Sequence, residues 1–499
     1  MSDLYNAIKK ETNFTNTENG AVTHKTSFNK VLDMFALGGS YRNRTDDEVI
    51  KLFRDAFDEN PHLAIKCLFY LRDVRGGQGQ RRFFRVAYKW LIENYTKTAR
   101  KYLPCITYYG RWDDLIDICF NTALANDMFS IVKAQLKFDA YAPAQEVSLL
   151  AKWMPSENAS SADTKAKARC FAYKFGYSPK SYRKTLSAIR KKINVLERLM
   201  SAREWDNIQF DKIPSVAGLR YSDAFRTREE TKDRYIEFIK AKSTKVNAAV
   251  LNPVDIVERV ISSRYTKNYI DDTFEDSMQK YWDNLTDYYN GRSEEAIAIV
   301  DVSGSMSGKP MAAAIGMGLY VAQKSTGRFA NHFITFSEHP ALVEVEGDNI
   351  VEQVKSTIQA DWGGNTNLEA ALDLILNAAI HEKLPQSELP SKFYIFSDME
   401  FDRAAFGWGR RDERQAPETL VESIDKKWRA AGYEMPKVLF WNLSARHNNI
   451  PAIGEKYTYI SGFSMSQMQQ IFGDKSAVEL MLEVLNAERY AMLDHIEND

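Results

Sequence analysis

Cysteine is scarce and scattered: four residues in 499, Cys67, Cys105, Cys119 and Cys170, with no C-x-x-C pair. That excludes a disulfide framework and a cysteine-built zinc site, and it fits a reducing, cytosolic setting. Histidine is equally thin, seven residues with no H-E-x-x-H, so the helix-borne zinc hydrolase pattern is missing too. No apolar run approaches the roughly 20 residues needed to span a bilayer. The opening M-S-D-L-Y-N-A-I-K-K-E has neither the apolar core nor the cleavage site of a signal peptide. No membrane partner is expected.

What is present is an ordinary globular balance, 44% hydrophobic and 27% charged residues, in a chain too long for one core. The net charge of −1 conceals a division. Residues 294–499 carry 18 Lys+Arg against 30 Asp+Glu, while residues 1–293 carry the remaining 48 against 37. The first part is therefore basic by 11 charges and the second acidic by 12. Such asymmetry points to an anionic partner for the first part, or to attraction between the two.

The same boundary divides the sequence pattern. Before it, windows such as D-E-V-I-K-L-F-R-D-A-F (47–57) and D-D-L-I-D-I-C-F-N-T-A-L (113–124) space apolar residues three and four apart, as helices do. Pro61, Pro104, Pro143, Pro155, Pro179, Pro214 and Pro253 read as connectors between antiparallel helix pairs of the HEAT type, in a solenoid or ring. S-E-N-A-S-S-A-D-T-K (156–165) reads as a polar loop. From 294 to 499, strand-like runs alternate with helical stretches: A-I-A-I-V (296–300), H-F-I-T-F-S (332–337), K-F-Y-I-F-S-D (392–398), K-V-L-F-W-N-L (437–443) and Y-T-Y-I-S-G (457–462). That alternation predicts a doubly wound, mostly parallel α/β sheet. A helix-like tail from Ser476 sets Val478, Leu482, Leu485 and Tyr490 near one face.

The run 296–300 ends in Asp301, Ser303 and Ser305, one carboxylate and two hydroxyls at the carboxyl end of a buried strand. Open α/β sheets bind ligands there, and oxygen donors suit a hard divalent cation. Further oxygens are expected from Thr366, in the glycine loop D-W-G-G-N-T-N-L, and from Asp398, at the end of 392–398. Mg2+ is the expected ion, with Mn2+ or Ca2+ as alternatives. The stretch 401–415 would form a polar rim beside it. Glu400 and Asp402 read as solvated loop acids, with a second ion as the alternative reading, and His332 and His339 read as surface or packing residues.

Two basic segments mark the first part. L-F-Y-L-R-D-V-R-G-G-Q-G-Q-R-R-F-F-R-V-A-Y-K-W (68–90) supplies Arg72, Arg75, Arg81, Arg82 and Arg85 around a glycine turn, interleaved with aromatics. No G-K-[S/T] follows, so it is not a P-loop. K-S-Y-R-K-T-L-S-A-I-R-K-K (180–192) places Arg183 and Arg190 two turns apart, with Lys184 and Lys191 repeating the offset. Arg111 lies between them in Y-Y-G-R-W-D-D-L. Guanidinium groups bind phosphates and aromatics stack on bases, so a groove for single-stranded RNA is one reading. Solvated helix faces and core aromatics are the other.

The D-x-S-x-S, Thr and Asp pattern of 301–398 resembles the metal-ion-dependent adhesion site of the von Willebrand factor A family. That resemblance implies that the serines and threonine approach the ion, that the aspartates bind it directly or through water, and that one position stays open for a partner's acidic group. The combination with a basic helical region resembles the TROVE, or Ro ribonucleoprotein, architecture. The phrases L-F-Y-L-R-D-V-R-G-G, Y-G-R-W-D-D-L, S-Y-R-K-x-L-S-x-x-R and I-P-S-V-A look closest to a cousin family that joins a TROVE-like helical region to an A domain. From about residue 25 to 475 this resemblance implies a helical ring whose basic lining, here the arginines at 72, 75, 81, 82, 111, 183 and 190, takes single-stranded RNA ends, with duplex RNA on the outer surface. The expected partner is thus a single-stranded or structured non-coding RNA. The expected function is a non-catalytic RNA-binding scaffold. Its rival is a metal-dependent protein-binding scaffold without RNA. No obvious general base accompanies the oxygen cluster, so an enzyme is not expected.

Overall fold

The computed structural model describes residues 3–193, 196–265, 270–337, 339–359, 366–403, 418–473 and 475–498. Helices dominate as far as Asp283. Their starts follow local chemistry: Thr45 and Glu48 form a reciprocal cap on the helix Asp46–Glu59, and Asn60 caps Pro61–Arg72 with proline at its first position. Successive helices pack on their neighbours, Asp46–Glu59 against Pro61–Arg72, then Arg81–Asn94, Thr96–Tyr109 and Trp112–Cys119. Pro104 is no connector: it lies within Thr96–Tyr109.

Two short strands were not anticipated in this part, β1 (Phe14–Asn16) and β2 (Val22–His24), which pair antiparallel as a hairpin. The main sheet has six strands: β3 (Ala296–Val300), β4 (His332–Thr335), β5 (Leu342–Glu344), β6 (Lys392–Ser397), β7 (Lys437–Asn442) and β8 (Tyr457–Ser461). Their spatial order is β5-β4-β3-β6-β7-β8. All neighbours are parallel except β5, which pairs antiparallel with β4 at one edge. The sheet is thus mixed rather than wholly parallel. β3 and β6 are buried at every position, which accounts for the apolar runs 296–300 and 393–396. The helix Lys309–Lys324 lies over β3, β4 and β6, close enough that a methyl group on Gly318 would overlap Val300.

The two ends of the helical array both meet this sheet layer. Pro253–Tyr265 packs along Lys309–Lys324, and Lys30–Leu37 packs on β8. The tail returns as well: Arg489 pairs with Asp73, Asp494 receives Lys66 and His62, and the Tyr109 hydroxyl donates to the Arg489 carbonyl at 2.8 Å. The tail helix Ala477–Leu485 buries Leu480, Met481, Val484 and Leu485, whereas Val478 is exposed.

At β8 the approach is closest at Gly39. Its N–H donates to Ser461 Oγ at 2.9 Å, and a Cβ there would overlap the Ser461 carbonyl. Gly39→Ala is therefore expected to cost about 1–3 kcal/mol, read as a lower urea midpoint with an unchanged slope. A neutral result would mean that the helical layer and β8 are not in this register.

Candidate metal centre and arginine-lined cleft

Chain order reverses between β3 and β6: from β3 the chain moves outward to β4 and β5, then returns to β6 on the other side. Such a switch point opens a crevice at the carboxyl ends of the two strands. Their register sets Val300 opposite Phe396, so Asp301 emerges opposite Ser397, with Asp398 one residue further on. The Asp301 N–H donates to the Phe396 carbonyl at 3.0 Å. Its two carboxylate oxygens accept from the Ser303 N–H at 2.9 Å and from Ser397 Oγ at 2.6 Å. Ser303 Oγ and Ser305 Oγ are 3.0 Å apart, and Ser305 lies near enough to Asp398 to favour its charged form. Four of the five expected oxygens are therefore neighbours.

The fifth is joined indirectly. Thr366 Oγ1 lies 2.9 Å from Asp402 Oδ1 and 2.9 Å from the Glu400 carbonyl, and Asp402 is close enough to Asp301 for its charge to be felt. Thr366 N–H donates to the other Asp402 oxygen at 2.8 Å. Gly363 and Gly364, and the rim loop beyond Arg403, lie outside the described residues.

Electrostatics favour a cation here. Asp301, Asp398 and Thr366 are buried. Burial, then the charge of Asp301, pushes the Asp398 carboxyl up to about 6. Burial also raises Asp301, against the hydrogen bonds of Ser397 and Ser303. Asp398 Oδ1 accepts the Glu400 N–H at 3.1 Å, but Oδ2 is buried with no partner. Between them Met399 holds a left-handed φ of 67°, an uncommon conformation for a side-chain-bearing residue. An orphaned carboxylate oxygen beside a second buried carboxylate and two hydroxyls fits a hard divalent ion. Gly304, Ser305 and Ser307 are exposed, so the group is open on that side.

On the Thr366 side it is covered by the β1–β2 hairpin. Asn19 Nδ2 donates to Thr366 Oγ1 at 2.9 Å and to the Glu400 carbonyl at 2.7 Å, and Thr17 Oγ1 donates to the Phe401 carbonyl at 2.6 Å. Glu400 is not a solvated loop acid. It is 1% exposed, and its carboxylate accepts from the Glu18 N–H at 2.6 Å, Asn449 Nδ2 at 2.9 Å and the His447 ring at 3.0 Å. Glu18, Glu400 and His447 bring ligand atoms within 4.8 Å of one another, but these hydrogen bonds already satisfy Glu400, and the trio serves to dock the hairpin.

The sequence-predicted basic residues divide. Arg72 is 2% exposed, and its Nε and Nη2 both bond to Asp114 Oδ2, at 2.8 and 2.6 Å. It is a buried structural ion and is withdrawn from the phosphate-contacting set. Arg190 is also committed, donating to the carbonyls of Ala151 and Met154 and to Ser156 Oγ at 2.7–3.0 Å. Arg183 pairs with Glu157 at 2.9 Å, so the 156–165 segment is tied to this helix. Lys184 and Lys191 are exposed, and Lys184 shares a cleft with Lys180 and Arg183. Arg75 reaches the Tyr108 carbonyl at 3.3 Å. Tyr70, Phe83, Phe84 and Tyr88 are core residues, so the aromatic interleaving near Arg81 is packing, not a base-stacking platform.

The remaining arginines converge. Arg81, Arg82 and Arg111 line a cleft of about 440 Å3 with Arg42, Arg72 and Gln80. Arg111 forks onto Asp113 at 2.8–2.9 Å and stacks on Trp153, 4.0 Å to the ring centre. Arg85, behind the cleft, spans Asp113, Asp114 and Asp117. Arg82 pairs with Asp46. The backbone N–H groups of Gln78, Gly79 and Gln80 go to the carbonyls of Tyr70, Asp73 and Leu71, so the glycine turn does not present them to a ligand. Arg42 and Gln80 escaped sequence reasoning, and Arg85, read there only as part of the basic segment, is held internally by Asp113, Asp114 and Asp117.

These features define a class, a helical array closed by an α/β layer with an acidic crevice at its switch point. Residues 295–495 match the domain of unknown function DUF7788, and residues 17–127 and 161–288 match the domain of unknown function DUF2828. The chain is 29% identical to an uncharacterized protein of Acanthamoeba polyphaga mimivirus over 97% of its own length and 87% of that protein's. The crystal structure of the Deinococcus radiodurans RO (RSR) protein overlaps 93% of this chain and 100% of its own, with a TM-score of 0.41 and 13% identity. That overlap is too loose to carry fold detail or function across. No described helix is long and apolar enough to cross a membrane.

Proposed function

We propose that the chain is a non-catalytic RNA-binding scaffold with two sites. Residues 1–293 form a HEAT-like helical array that holds single-stranded RNA through clefts lined by Arg81, Arg82 and Arg111 and by Arg183 and Lys184. Residues 294–499 form a von Willebrand A-type domain whose Asp301, Ser303, Ser305 and Asp398, with Thr366 through Asp402, hold a divalent cation, Mg2+ by preference. The exposed Ser305 side leaves room for the carboxylate of a second, protein ligand.

The observation that carries the RNA reading is the cationic cleft: five arginines and a glutamine converge on one concavity in the basic part of the chain, with no carboxylate among its lining side chains. Ion pairs of Arg72 with Asp114, of Arg81 and Arg111 with Asp113, and of Arg82 with Asp46 balance part of the charge. Phosphate oxygens complement such a surface, and guanidinium groups bind them in bidentate fashion.

Single-stranded RNA binding is expected to weaken steeply with salt. Four or five phosphate contacts give a log–log slope of about −3, measured by fluorescence anisotropy between 50 and 300 mM KCl. Arg81→Gln and Arg82→Gln are each expected to flatten it by roughly 0.7. A flat response, or no RNA bound at low salt, would remove the reading and leave the protein-binding scaffold in its place.

A further inference from the structure

The arginine-lined cleft contains hydrogen-bond donors that nothing among the described residues satisfies. Gln80 is 2% exposed, yet its Nε2 has no partner. Arg42 Nε and Arg82 Nη1 are likewise buried without partners. All three side chains line the same cleft. A buried donor left unmade costs about 1–3 kcal/mol, so three at one place mark a surface shaped for an acceptor.

Two further features point the same way. The helix Arg81–Asn94 starts at this cleft, and no side chain caps it; the first-turn N–H groups and helix dipole there favour an anion. Arg42 lies over the Phe463 ring at 4.2 Å instead of on a carboxylate, and burial pushes its guanidinium down to about 10, against the distant charges of Asp255 and Glu258. Arg42 stays charged at neutral pH, and an anion seated beside it would offset the cost of that burial.

We infer that this cleft is a binding site for a phosphate monoester, either the terminal phosphate of an RNA or that of a free nucleotide. The orphaned Gln80 and Arg82 groups and the uncapped helix start supply its donors. A monoester presents three terminal oxygens and up to two charges, whereas an internal phosphodiester presents two oxygens and one charge. The surplus of converging donors matches the former. The cleft volume of about 440 Å3 is within the range of about 300–1,000 Å3 that holds small molecules. For an RNA end the assignment rests on the RNA-binding reading above; for a free nucleotide it stands without it.

The test compares a 5′-phosphorylated, a 3′-phosphorylated and an unphosphorylated oligouridylate on the full chain, with adenosine 5′-monophosphate as a separate arm. A terminal phosphate is expected to tighten binding roughly tenfold or more, and the monophosphate to compete for that increment. Gln80→Glu places a carboxylate among the orphaned donors. It is expected to abolish the increment while raising the melting temperature, an outcome that a misfolded variant does not produce. Arg82→Gln should lower the increment in a protein of near wild-type stability.

Equal affinity for all three oligonucleotides, with no monophosphate bound, overturns the monoester site and leaves the RNA reading intact. Monophosphate binding with no oligonucleotide bound establishes the site for a free nucleotide and ends the RNA reading. An increment that survives Gln80→Glu places the phosphate elsewhere and overturns the assignment.

Discussion

Freed of divalent ions with EDTA, the wild-type protein is expected to lose about 2 kcal/mol of stability between pH 4 and pH 7 relative to Asp398→Asn. The sign follows from the carboxyl's shift from 3.8 to about 6. Protonation favours the folded state, so the benefit is complete below 3.8 and is lost as the pH rises through 6. At neutral pH two buried carboxylates then face each other across the switch point. Mg2+ reverses this, because a cation between them replaces repulsion with coordination. At a hundred times its dissociation constant it should add about 2.7 kcal/mol. Asp301→Ala and Asp398→Asn are expected to remove that gain while RNA affinity stays near wild type. Urea unfolding at several pH values, with and without Mg2+, measures both effects. Parallel pH profiles for wild type and Asp398→Asn, together with no response to Mg2+, would remove the ion site.

Asp114→Ala is expected to be the most damaging single change in the helical array, costing about 3–5 kcal/mol. Asp114 is 0% exposed and Arg72 2% exposed, so removing the carboxylate strands a buried guanidinium. Burial already lowers the pKa of Arg72 in the presence of Asp114. Arg85 would lose its 2.7 Å bond to the same side chain, although Asp113 and Asp117 would still hold it. Arg72→Met should be far milder, because it removes the charge along with its need for a partner. Chemical denaturation of the two variants side by side measures the difference. If Arg72→Met instead leaves stability unchanged and lowers RNA affinity, Arg72 contacts phosphate and its pairing here is incidental.

How much of this was legible in the sequence depended on distance along the chain. β3 and β6 were readable because buried parallel strands are continuous apolar runs, and each ends abruptly in an acid. The antiparallel edge strand β5 was not, being three residues long with Leu342 half exposed at 51%. The hairpin was missed for the same reason: three-residue strands carry no usable period, and its target Thr366 lies 347 positions away from Asn19. Asp402 sits only four residues past Asp398, yet its role depends on Thr366 folding back onto it. A charge run shows that arginines are present, not which are spent. Arg72 and Arg190 look like their neighbours in sequence, and only the carboxylate of Asp114 and the carbonyls of Ala151 and Met154 show that they are internal.

We propose that the carboxyl ends of β3 and β6 form a cation site. Anomalous diffraction from a crystal soaked in Mn2+ tests it most directly. A peak about 2.0–2.3 Å from an Asp301 or Asp398 oxygen and the hydroxyls of Ser303 and Ser305 is the predicted result. Density at the Glu18–Glu400–His447 trio with nothing at the switch point would contradict it.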